Sequence, residues 1–93
     1  MSTAQAERSP YRGVTWHVSG RWHATVKVAD QQISLGYALN PVDAAMAYDY
    51  AVELLRGPGQ RKNFPQKNLD PLRQIEIEAA LASAGVWTPP IPR

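Results

Sequence analysis

The sequence contains no cysteine, only two histidines and no long apolar run. Disulfide bonds and thiolate zinc sites are therefore excluded, and two histidines alone cannot complete a tetrahedral metal site. No stretch approaches the roughly 20 apolar residues that cross a bilayer, and the polar N-terminus lacks the apolar segment of a secretory signal. We expect no metal, no cofactor, no membrane contact and no small-molecule substrate.

The chain is also short, with 93 residues of which 44% are apolar and 19% charged. This composition is that of an ordinary globular domain. A chain of this length buries only roughly 60–65% of its unfolded surface, so a deep enclosed active site is not expected. Asp49 and Glu53 are interpreted as part of a solvated helix face. We therefore expect that the chain is not an enzyme.

Two consecutive segments alternate between apolar and polar residues, which is typical of strands with one buried face. The apolar side is predicted to hold Trp22, Ala24, Val26 and Val28 in the first segment, and Ile33, Leu35 and Tyr37 in the second. The other side holds Arg21, His23, Thr25 and Lys27, and then Gln32, Ser34 and Gly36. This second face is left free for an acidic partner.

Short turns connect the predicted strands, so the sheet is expected to be an antiparallel meander. The strands are predicted at 11–17, 21–29 and 32–38, with turns at 18–20 and 30–31. Arg12 and Thr15 have opposite parity in a regular strand. A bulge at Gly13 would allow both to face the same partner.

Two helices are predicted after the strands. Asn40 and Pro41 form a start signal and Gly57 a stop signal for the first, and Asp70 and Pro71 start a second that ends at Gly85. The expected apolar stripes are Ala44, Ala47, Tyr48, Ala51, Leu54 and Leu55 in the first helix, and Leu72, Ile75, Ala79 and Ala82 in the second. The predicted fold class is α+β, a three-stranded antiparallel sheet packed on one α-helix, with an additional C-terminal helix.

The remaining segments are predicted as loop or tail. Residues 57–68 have loop composition with three cations, Arg61, Lys62 and Lys67, and Phe64 as an apolar anchor. We divide the chain into a flexible N-terminus (1–8), a folded domain (9–66) and a helical extension with a proline-rich end (67–93).

The net charge of +2 is distributed unevenly. Residues 8–34 contain four basic residues and one acidic residue, whereas residues 41–56 contain one basic and three acidic residues. The strands and the first helix thus have opposite charge, as expected if the sheet contacts a polyanion and the helix faces water.

Several short motifs occur in a fixed order: "YRGV", "GRW", "LGY", "AAMAYDYA" followed by "RG", and "NFP". In order and spacing they resemble the Apetala-two/ethylene-response-factor type DNA-binding domain over roughly residues 9–65. The resemblance implies a three-stranded sheet that lays its polar face in the major groove of double-stranded DNA. It also implies a transcription factor that regulates transcription, located in the nucleus if the source is eukaryotic.

The resemblance implies that the DNA-binding residues are Arg12, Thr15, His17, Arg21, His23, Thr25, Lys27, Gln32 and Ser34. Arg12, Arg21 and Lys27 match basic positions of the family. The chain departs from ethylene-response members at Thr15, at His17 and Ser19, at Thr25, and at Gln32 and Ser34, where those members often have arginine, tryptophan or glutamate. We therefore expect the docking mode of the family with a different base preference.

Two alternatives remain. The chain could be a protein-interaction or oligomerisation module that retains the fold and associates with itself or a protein partner through its C-terminal extension. It could also be the DNA-targeting part of a nuclease.

Overall fold

The computed structural model of the protein describes residues 11–57, 59–60, 62–64 and 68–88. The predictions for the flexible N-terminus, for Arg61 and Lys67 and for the proline-rich end lie outside these residues.

The three strands are β1 (Val14–Trp16), β2 (Trp22–Val28) and β3 (Gln31–Ala38), in the order β1-β2-β3 with both pairs antiparallel. The predicted meander is confirmed. β1 is shorter than predicted, because the backbone turns at Gly13 with a φ of 74° and Arg12 bonds to the side chain of Asn63. Gly13 thus forms a turn immediately before β1, and the predicted bulge within the strand is wrong.

The two helices are α1 (Pro41–Arg56) and α2 (Pro71–Ser83), and both begin where the capping signals predicted. The side chain of Asn40 accepts the backbone N–H of Asp43 at 2.9 Å, and Gly57 ends α1 with its N–H donated to Glu53. In the described part of the chain, neither helix combines the length and the apolar character that crossing a bilayer requires.

The core lies between α1, α2 and one face of the sheet. α1 contributes mainly small buried side chains, which let the helix axis approach the strands closely. The sheet supplies larger ones, so that the buried apolar set includes Val14, Ala24, Val26, Ile33, Leu35, Ala44, Ala45, Ala47, Ala51 and Val52. Tyr48, Leu54 and Leu55 are half-buried and pack against this core. The α+β architecture is confirmed.

The predicted apolar stripe of α2 is wrong. Ile77 and Leu81 are fully buried, whereas Leu72 is 70% and Ile75 61% exposed and Ala79 and Ala82 are also exposed. Both sets have helical spacing, so periodicity alone could not choose between them. The buried face was overlooked because it includes Arg73, whose guanidinium lies over the backbone of Gly36.

The interpretation of Asp49 as a solvated residue is also wrong. Asp49 is 5% exposed and its carboxylate accepts backbone N–H groups from Asn63 and Phe64. A buried carboxylate requires such partners. Glu53 instead forms an ion pair with Lys62. Phe64 is half-buried and packs on the core, as predicted for the anchor of this loop.

Candidate nucleic-acid interface

The cross-strand register places most of the predicted site residues on one face of the sheet. Directly paired residues of antiparallel strands project to the same side, and successive residues project to opposite sides. The pairs opposite the core are Thr15 with His23, Thr25 with Ser34, and Lys27 with Gln32. We call the side of the sheet on which these six side chains lie the polar face.

Hydrogen bonds between neighbouring strands order parts of the polar face. A ring nitrogen of His23, Nε2, lies 2.8 Å from Ser34 Oγ, and Gln32 Nε2 donates to Thr25 Oγ1 at 3.3 Å. These four side chains are therefore held in place without a ligand, which reduces the entropy that they would lose on binding one.

Tyr37 lies on the polar face, and its predicted position on the apolar side is wrong. The register shifts by one residue between Ala24 and Thr25, with Leu35 as the extra residue of β3. Gly36 follows with a φ of 102°, a conformation that glycine adopts readily. The shift reverses the parity of the strand, so that Tyr37 pairs with His23 and is 44% exposed. A glycine inside a predicted strand was the available signal.

Three rings form a cluster at this end of the polar face. The ring of Tyr37 stacks on His23, with centroids 4.3 Å apart and an interplanar angle of 11°, and His17 meets Tyr37 edge-on at 4.9 Å. Burial, and then the charge of His17, lowers the pKa of His23 below its ordinary 6.5. His23 is therefore mainly neutral at pH 7 and offers hydrogen bonds more than positive charge.

Arg12 and Arg21 lie outside the strands, each just before one. Both are exposed. Arg21 lines an open groove of about 650 Å³ that is otherwise formed mostly by the two helices and the segments before them, including Asp43, Asp70 and Arg73. Arg12 thus precedes β1 and Arg21 precedes β2, whereas Lys27 lies within β2 and is exposed.

Across the residues that the structure describes, no three His, Cys, Asp or Glu side chains come together closely enough to hold a metal ion.

Known proteins that resemble this chain are plant transcription factors. The chain is 41% identical over 59 residues to ethylene-responsive transcription factor ERF010 of Arabidopsis thaliana, a match that covers 61% of this chain and 32% of that protein. It is 38% identical over 73 residues to ethylene-responsive transcription factor ERN1 of Medicago truncatula, covering 76% of this chain and 25% of that protein. This chain carries an Apetala-two/ethylene-response-factor type domain.

A third relative extends the similarity along the chain. Dehydration-responsive element-binding protein 2E of Arabidopsis thaliana is 32% identical over 87 residues, which cover 83% of this chain and 35% of that protein. No protein-family model matches the sequence. The chain spans only about a quarter to a third of the length of these relatives.

Proposed function

We propose that this domain binds double-stranded DNA sequence-specifically by laying the polar face of its sheet in the major groove. The observation that carries the proposal is the difference between the two faces of the sheet. One face is buried under both helices, whereas the opposite face presents Lys27, Gln32 and paired polar side chains with no element of the described chain packed on it. The major groove is wide enough to admit such a ribbon.

The side chains of the polar face, together with Arg12 before β1 and Arg21 before β2, match the chemistry of base edges and phosphates. Arginine forks bind guanine O6 and N7, a glutamine such as Gln32 binds adenine, and a threonine methyl such as that of Thr15 or Thr25 contacts thymine. Arg12, Arg21 and Lys27 supply most of the affinity, and lysine contacts phosphates without reading the sequence. His17, His23, Thr15, Thr25, Gln32 and Ser34 adjust the choice of base. Tyr37 joins them as an exposed ring beside His23.

The two ethylene-responsive relatives are named as transcription factors, and we extend the proposal to transcription regulation, in the nucleus if the source is eukaryotic. Selection from a randomised duplex pool with the purified chain tests DNA binding and identifies the preferred bases. Binding to the selected duplex must weaken steeply as the salt concentration rises, because phosphate contacts release counterions. Failure to enrich any sequence contradicts the proposal.

Replacement of Arg21 by alanine is expected to weaken binding to the selected duplex at least tenfold, about 1–3 kcal/mol. Fluorescence anisotropy with a labelled duplex measures the change, and circular dichroism checks the fold. Gln60→Ala is the control, because Gln60 is exposed in the loop after α1 and is not a proposed DNA-binding residue. Equal effects of the two replacements would show that Arg21 does not contact the duplex.

A second candidate function, self-association through α2, is favoured by the exposure of Leu72 and Ile75. With Ala79 and Ala82 they form the α2 stripe, whose 3-4-3 spacing is that of a coiled-coil seam. When the α2 helix of a second copy packs antiparallel on this one, with position 77 at the midpoint of both helices, Leu72 lies against Ala82 and Ile75 lies against Ala79. Each layer then combines a large and a small side chain, as good packing requires.

Such a contact between two short helices is smaller than a stable interface of about 1,000 Å², so we expect dimers only at high protein concentration. Sedimentation equilibrium of the wild-type chain is expected to show a monomer–dimer equilibrium that the double variant L72E/I75E abolishes. Both residues are exposed, so the variant keeps its fold. A wild-type chain that stays monomeric throughout contradicts the second candidate.

A further inference from the structure

The backbone of Arg12 is held by a single side chain from a distant loop. The N–H of Arg12 donates to Asn63 Oδ1 at 2.9 Å, and Asn63 Nδ2 donates to the carbonyl oxygen of Arg12 at 3.2 Å. One amide group thus satisfies both polar groups of the Arg12 backbone. This contact takes the place of a strand partner, because β1 begins only at Val14.

Asn63 is itself fixed by a buried carboxylate. Asp49 Oδ1 accepts the backbone N–H of Asn63 at 2.8 Å and its Nδ2 at 3.1 Å, while Oδ2 accepts the N–H of Phe64 at 2.8 Å. Asp49 is 5% exposed and belongs to α1. Charge-assisted hydrogen bonds of this kind are stronger than neutral ones. The core helix therefore sets the orientation of the asparagine amide.

The residues on either side of Arg12 are fixed as well. The ring of Tyr11 packs on Phe64, with centroids 5.0 Å apart, and Gly13 lies against the ring of Tyr48. Gly13 also accepts the N–H of Thr25 at 2.8 Å through its carbonyl oxygen. Arg12 is thus exposed on a backbone that α1 and its following loop determine.

We infer that Asn63 is a positioning residue for DNA binding, which presents Arg12 to the duplex through the chain Asp49, Asn63, Arg12. The inference rests on the proposed function. Ordering a backbone residue costs conformational entropy, and here that entropy is lost during folding and not during binding. An arginine presented on an ordered backbone binds its site more tightly than one on a free arm.

The test is a double-mutant cycle on the duplex selected by the wild-type chain. Asn63→Ala is expected to weaken binding threefold to tenfold. In the Arg12→Ala background the same replacement is expected to change binding by less than twofold, because the side chain that it positions is gone. A merely structural defect would weaken both backgrounds equally. Gln60→Ala, at an exposed position of the same loop, is the control and is expected to leave binding unchanged.

Unfolding curves establish the temperature at which every variant is folded. Where Asn63→Ala does not fold, Asn63→Ser replaces it in the cycle, because serine is too short to reach Arg12 from the same position. Folded variants at residue 63 that bind like the wild-type chain, or effects at residues 12 and 63 that multiply independently, overturn the inference while the proposed function stands. Failure of the wild-type chain to bind any selected duplex overturns the proposed function and this inference with it.

Discussion

Replacement of Gly13 by alanine is expected to lower the free energy of unfolding by about 2–5 kcal/mol. Two costs combine. Gly13 has a φ of 74°, where an L-residue is destabilised by about 1–2 kcal/mol. A Cβ at this position would also lie 2.0 Å from Cδ1 of Tyr48, and overpacking of this kind typically costs about 1–3 kcal/mol. Denaturant unfolding followed by circular dichroism measures the loss.

Gly20 provides the matched control for this replacement. Its φ is 90°, but no atom lies within 4 Å of a Cβ built there. Gly20→Ala is therefore expected to show the backbone cost alone. The difference between the two variants isolates the contact with Tyr48, and a second replacement, Tyr48→Ala, should recover part of the loss at Gly13. Equal losses at Gly13 and Gly20 contradict the close contact.

Replacement of Ile77 by alanine is expected to destabilise the chain by about 2–5 kcal/mol. Its side chain is 0% exposed, and truncation of a buried isoleucine removes apolar contacts and leaves a cavity. Ile77 belongs to the same hydrophobic cluster as Val26 and Ile33 of the sheet. The loss therefore affects the whole domain, and the helix and the sheet are expected to unfold in one transition.

Ile75 offers the same chemical change two residues away on the same helix. Because it is 61% exposed, Ile75→Ala is expected to change stability by less than about 0.5 kcal/mol. The apolar stripe predicted from the sequence implies the reverse order, with Ile75 buried. Thermal or denaturant unfolding of the two variants decides between the two orders of destabilisation. A larger effect at Ile75 would show that the opposite face of α2 packs on the sheet.

Local signals in the sequence were sufficient where they are strong. Asn40 and Pro41 predicted the start of α1, Asp70 and Pro71 that of α2, and alternation identified β2 and β3 to within one or two residues at each end. These features depend on neighbouring residues and on the period of the side chains. They required no knowledge of tertiary contacts.

Where the sequence misled, tertiary context decided. Tyr37 changed face because the irregularity before Gly36 reverses the parity of β3. The buried face of α2 could not be predicted from apolar spacing because it includes Arg73, and a charged residue is not expected to pack on a sheet. The role of Asp49 depends on Asn63, which follows 14 residues later in the chain. The polar face could be predicted by alternation, whereas the DNA contacts of its residues remain predictions.

Both helices pack on the same side of the sheet, since Ile77 and Leu81 share a core with the inward residues of all three strands. The α2 stripe and the polar face are consequently separate surfaces. The two proposed ligands, a duplex on the polar face and a second copy on the α2 stripe, would therefore not compete for the domain.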